Sequence, residues 1–103
     1  MSILIKSTET KDILIAGTEF KLSEVYGRLE FAARANGETL EISVGTYVSG
    51  DTYAQGMLLY TDIPAGNINA TLEPTEVQSL ETAHKYAKLA YEQLGYEVVI
   101  NLV

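Results

Sequence analysis

The chain has no cysteine and no tryptophan, and only one histidine, two prolines and two phenylalanines in 103 residues. Without cysteine there are no disulfides, no thiolate metal sites and no thiol catalysis, and the composition fits a reducing compartment. A single histidine, His84, cannot build a typical zinc site alone. Nor does it have an identifiable partner as a catalytic base, since nucleophilic catalysis needs base and nucleophile side by side. No G-x-S-x-G, H-x-x-x-H or Gly-rich phosphate loop is present. Asp51, Asp62 and the scattered glutamates lack the spacing of an EF-hand or a two-carboxylate metal site. No catalytic residue, metal ligand or cofactor site is therefore expected.

Positive charge is also scarce. Seven basic residues stand against 14 acidic ones, for a formal net charge of −7. Tight nucleic-acid binding needs clustered Lys and Arg, so it is not expected. An acidic surface would still let DNA pass without sticking, although its ordinary role is solubility. No apolar run reaches the length of a membrane span. Met1 to Lys6 has neither a basic n-region nor a long apolar core, so no signal peptide is expected there.

The residues that are present suit one domain covering 1–103. Hydrophobic residues make up 47%, and a chain of this size buries roughly two-thirds of its unfolded surface. The most informative stretch is 25–48, read as one long β-hairpin turning at Asn36-Gly37. Asn-Gly is the strongest signal for a two-residue type I′ turn, which needs positive φ at both positions. That register pairs Val25 with Val48, Leu29 with Val44, Phe31 with Ile42 and Ala33 with Leu40 on one apolar face. Tyr26 with Tyr47, Glu30 with Ser43, Ala32 with Glu41 and Arg34 with Thr39 form the polar face. A one-residue slip would scramble both faces. A helix over 23–35 is the alternative, opposed by the interior Gly27 and by the match to the return strand. The hairpin is expected at the edge of a sheet or projecting from it.

Residues 3–6 and 12–16 read as short strands joined by the polar loop Ser7–Lys11, each covered on two faces. Gly50-Asp51 ends the long hairpin. Met57–Tyr60 suits a strand, and the Pro64–Asn67 stretch a turn. Alternation of Ile68, Ala70 and Leu72 gives another strand. A helix over 76–94 is expected next, with Thr75 and Gln78 at capping-box spacing. Its apolar stripe is Val77, Leu80, Ala83, His84, Ala87, Tyr91 and Leu94. Glu81 and Lys85 are spaced for a surface pair, and Gly95 suits the C′ position. A final strand covers 96–102. Strand, helix and strand have the form of a βαβ unit, right-handed if the two strands lie parallel in one sheet. The fold class is α+β: a mainly antiparallel sheet, one amphipathic helix packed on it, and a closing strand.

Two groups of residues suit subunit contacts. Tyr26, Arg28, Glu30, Arg34, Glu41 and Tyr47 share the polar hairpin face. Their charges read either as a cross-strand salt-bridge ladder or as a surface that meets a copy of itself. Arginine neighbours would keep Glu30 and Glu41 ionised, which is wrong for a general acid. Tyr86 and Leu89 lie off the helical stripe, and tyrosine suits interfaces because it offers area at little entropic cost.

The stretch Val25–Gly37 and the helix Gln78–Ala87, with Tyr91 after it, resemble small virion proteins of tailed bacteriophages and related prophages. The resemblance covers the hairpin and the helix, less than half of the chain. It implies a homo-oligomeric ring or tube component of a neck or tail, located in the virion or the cytoplasm, with other virion proteins as partners. It brings no catalytic motif with it. A small monomeric or dimeric protein- or peptide-binding module is the rival expectation.

Overall fold

The computed structural model describes residues 1–63 and 68–101. Their order is β1 (Ser2–Lys6), β2 (Ile13–Leu14), β3 (Lys21–Leu22), β4 (Glu24–Ala33), β5 (Thr39–Tyr47), α1 (Gly50–Ala54), β6 (Ile68–Thr71), α2 (Leu80–Gln93) and β7 (Glu97–Asn101). The main sheet has five strands in the order β6-β5-β4-β1-β7, every neighbour antiparallel. β2 and β3 pair separately. The fold is α+β as the sequence pattern implies, with α2 across one face and β7 closing the sheet. The Pro64–Asn67 turn and Leu102 of the final strand fall outside the described residues. No helix among the described residues is long and apolar enough to cross a membrane.

The hairpin register agrees with the sequence pattern from Tyr26↔Tyr47 to Ala33↔Leu40. Pairing stops short of Val48, which is exposed. The turn differs from expectation. Gly37 has φ +76°, but among the described residues no non-glycine residue has positive φ, so Asn36 does not occupy a type I′ position. The Gly37 N–H instead donates to the Arg34 carbonyl, and the Arg34 N–H to the Thr39 carbonyl. The loop is therefore four residues built on an ordinary β-turn. Asn36 acts through its side chain: Oδ1 accepts from the N–H groups of Glu38 and Thr39, and Nδ2 donates to Thr39 Oγ1.

The hairpin does not project. Its strands are interior: β1 pairs with residues 24–27 of β4, and β6 with residues 39–42 of β5. The Leu72 N–H also donates to the Glu38 carbonyl at 2.7 Å. The expected hairpin of 3–6 with 12–16 does not form either. β1 lies between β4 and β7, which use both of its edges. Ile3 and Ile5 are fully buried there, each stabilising by about 1.5–3 kcal/mol relative to exposure.

β6 and β7 run in the same direction, but they form the two opposite borders of the sheet with three strands between them. α2 thus spans the sheet. At one end Ala83 and Ala87 meet Leu40, Ile42, Ala70 and Leu72. At the other Tyr91 joins Ile3, Ile5, Val25 and Val98. Gly27 lets the sheet pack closely, since a Cβ there would lie 2.9 Å from Ile3 Cγ1.

α2 starts later than the spacing predicts. Its N-cap is Ser79, whose side chain accepts from the Thr82 N–H. Thr75 and Gln78 are not its cap, because the preceding segment is committed to tertiary contacts. Glu73 and Glu76 close a turn on each other, and Gln78 reaches the hairpin. Accordingly Val77, Leu80 and Leu94, the ends of the expected stripe, are exposed, while Ala83, His84, Ala87 and Tyr91 are buried. At the other terminus Gly95, φ +103°, donates to Glu92, and Tyr96 N–H to Tyr91. This is a Schellman motif, completed by the Tyr91–Tyr96 ring contact.

Residues 57–62 form no regular strand, only an isolated bridge of Thr61 to Ile15. Leu59 N–H donates to the Thr46 carbonyl, Ala16 N–H to that of Tyr60, and Asp62 N–H to that of Leu14. This segment ties the small sheet to the large one.

Candidate functional site: the open sheet face and the outer groove

The face of the main sheet opposite α2 carries one cross-strand row in strict register. Val99 pairs with Leu4, Leu4 with Tyr26, and Tyr26 with Tyr47. Four neighbouring strands thus present apolar or aromatic side chains in a line. All four residues are partly or fully exposed. On one side lies a row of alternating charge, Glu97, Lys6 and Glu24.

Tyr53 covers the end of the apolar row. Its ring centroid lies 6.0 Å from that of Tyr26 and 5.1 Å from that of Tyr47. Arg28 stacks on it, with Cζ 4.5 Å from the centroid, and donates to the Met1 carbonyl at 2.8 Å. An arginine on an aromatic face gains attraction from the ring quadrupole. A groove of about 410 Å³ runs beside this cluster, lined in part by Arg28, Glu30, Ser43, Tyr47, Tyr53 and Leu58. Tyr53 is placed by α1, whose Ser49 cap and Thr52 make reciprocal capping bonds. The Ser49-x-x-Thr52 spacing was the available signal for it.

The polar hairpin face thus gathers Tyr26, Arg28 and Tyr47 into one cluster. Arg34 and Glu41 form an ion pair nearer the turn. The expected ladder is not continuous, since Glu30 joins no ion pair among the described residues. Glu30 and Glu41 line a second groove of about 230 Å³.

Tyr86 and Leu89 are elsewhere, on the α2 side of the sheet. With Ala90 and Gln93 they face Ile68–Thr71 of β6 across a groove of about 280 Å³. Tyr86 donates its hydroxyl to Glu76, which also binds Lys85 Nζ at 2.7 Å. Lys85 first, then Tyr86, hold the Glu76 carboxyl at about 2, and Glu76 in turn raises both Lys85 and Tyr86. Lys85 therefore pairs with Glu76 rather than with Glu81. This cluster anchors the segment before α2.

His84 is buried, with Nδ1 2.7 Å from the Leu80 carbonyl oxygen, so Nδ1 carries the proton that is shared. Its Nε2, like Ser2 Oγ and Tyr96 Oη, is buried and has no partner among the described residues. Burial pushes the Tyr91 hydroxyl up to about 12. Among the described residues no three of His, Asp and Glu gather as they would around a metal.

No family model, curated protein or solved structure matches this chain. What the surfaces themselves offer is contact area: an open sheet face with an aromatic row, and a groove along an outer strand whose described lining residues carry no charge.

Proposed function

We propose that the chain is a non-enzymatic assembly protein that makes homo-oligomeric contacts by strand pairing. The observation that carries this reading is the outer strand β6, which among the described residues pairs on one side only and is bordered by a groove with exposed Leu89. An outer strand presents unpaired N–H and C=O groups, which a further strand satisfies. The open face adds the Val99–Leu4–Tyr26–Tyr47 row, and tyrosine-rich area suits protein contacts. The resemblance of the hairpin and the helix to small tailed-phage virion proteins favours a neck or tail component among virion partners. A net charge of −7 suits a channel wall past which DNA slides. Rings arise when a head-to-tail contact closes by rotation.

Negative-stain electron microscopy of the purified protein tests this: defined rings, tubes or smaller closed oligomers are expected, and particles of single-chain size only would refute it. The second reading, a monomeric or dimeric binding module, is favoured by the same groove, which has the strand-beside-helix form that accepts an extended peptide.

A further inference from the structure

We infer that the β6 edge is the site of a two-fold contact with a second copy of this chain. The inference rests on the assembly reading and names its surface. Backbone alternation fixes which groups are free. Leu72 N–H bonds Glu38, and the Ala70↔Leu40 and Ile68↔Ile42 pairs continue that ladder inward. In antiparallel pairing the intervening residues point the other way. The N–H and C=O groups of Asn69 and Thr71 therefore face outward.

Charge selects the occupant. A two-fold contact brings the residues near its axis close to their own copies, so a charge there meets its like. In a chain of net charge −7, few surfaces tolerate that. The grooves of the open face contain Glu30, with Glu41 or Arg28 beside it. Among the described residues, none that lines the groove beside β6 is charged. Outer strands are ordinarily guarded by charge or proline. β7 carries Glu97, whereas β6 reads Ile-Asn-Ala-Thr with no guard. A basic or acidic partner would find nothing to read here, while an identical uncharged patch fits.

The register follows. Asn69 opposite Thr71 of the second copy uses every outward group of both residues, with Ala70 opposite Ala70. Alanine is small enough to let the two α2 helices approach, so that Tyr86, Leu89 and Ala90 of each copy are covered. The product is a continuous ten-strand sheet, twice the five strands of one chain.

Sedimentation velocity across a wide concentration range tests this on the full chain, with Leu89→Glu and Asn69→Pro. The first puts a carboxylate on each side of the axis. The second removes one outward N–H and no bond to β5. The expected result is a concentration-dependent dimer for the unsubstituted chain, and loss of the dimer in both variants with far-UV circular dichroism unchanged. If Asn69→Pro unfolds, Leu89→Glu decides alone. Should the unsubstituted chain assemble and folded Leu89→Glu assemble equally well, the β6 contact is overturned and the assembly reading stands. A chain that stays monomeric throughout, as a peptide-binding module would, overturns both.

Discussion

Gln78 holds the turn end of the hairpin from outside it: its Nε2 donates to the Arg34 carbonyl at 2.7 Å and to the Thr39 carbonyl at 3.0 Å. These are the last two residues joined across the hairpin before the loop. The bonds connect the segment before α2 to the turn end of the hairpin, 44 and 39 residues earlier in the chain. Gln78→Ala should therefore lower stability by about 1 kcal/mol, read as a fall in denaturant midpoint at unchanged slope. Gln78→Glu should cost more, since a carboxylate would face two carbonyl oxygens.

The turn chemistry separates two structures with the same register. In a type I′ turn Asn36→Gly would be harmless. Here it deletes the Asn36 side-chain bonds to Glu38 N–H, Thr39 N–H and Thr39 Oγ1. A loss of about 1 kcal/mol is expected. Gly37→Ala should also destabilise, by about 1 kcal/mol, because φ is +76° there. Chemical denaturation of the two variants checks both.

Close packing at Gly27 gives a core test. A methyl group would meet Ile3 Cγ1 at 2.9 Å and Val44 Cγ1 at 3.4 Å. Gly27→Ala should cost about 1–3 kcal/mol through overpacking. Pairing it with Ile3→Ala, which removes Cγ1 itself, should cost less than the sum of the two single changes in a double-mutant cycle.

Acid sensitivity follows from Glu76. Its carboxyl is held at about 2 by Lys85 and then Tyr86, against an ordinary value of 4.5. A group depressed on folding stabilises fully above its unfolded value, and the contribution disappears as pH falls through the folded one. Between pH 4.5 and about 2 the chain should thus lose the Glu76 contribution progressively. Lys85 is shifted upward, so its share is complete below 10.5 and is lost as pH rises through its raised value. Melting temperatures of Glu76→Gln and the unsubstituted chain should differ at neutral pH and converge toward pH 2.

Much of this was legible in the letters because hairpin register and amphipathic period are local signals. Alternation in 26–33 and 40–47 fixes both faces of the hairpin, and Ala83, Ala87 and Tyr91 fix the buried face of α2. What local pattern cannot carry is the choice between competing partners for the same group. Thr75-Glu-Val-Gln78 has cap spacing, yet Gln78 is worth more across the hairpin and Ser79 is equally good as a cap. Asn-Gly favours positive φ, yet the Asn36 side chain satisfies the Glu38 and Thr39 N–H groups in a wider loop. The strand at 3–6 has no letter that says it will sit between residues 24–27 and 97–101. Of the candidate contact residues, Tyr26, Arg28 and Tyr47 cluster around Tyr53, which only the short helix after Ser49 could announce.

The central claim is that self-association covers the outer edge of β6. Hydrogen exchange at the Asn69 and Thr71 amides, followed by NMR or mass spectrometry at high and low protein concentration, reads that edge directly. Marked slowing at high concentration, abolished by Leu89→Glu, is the predicted result. Unprotected exchange of both amides at every concentration would contradict it.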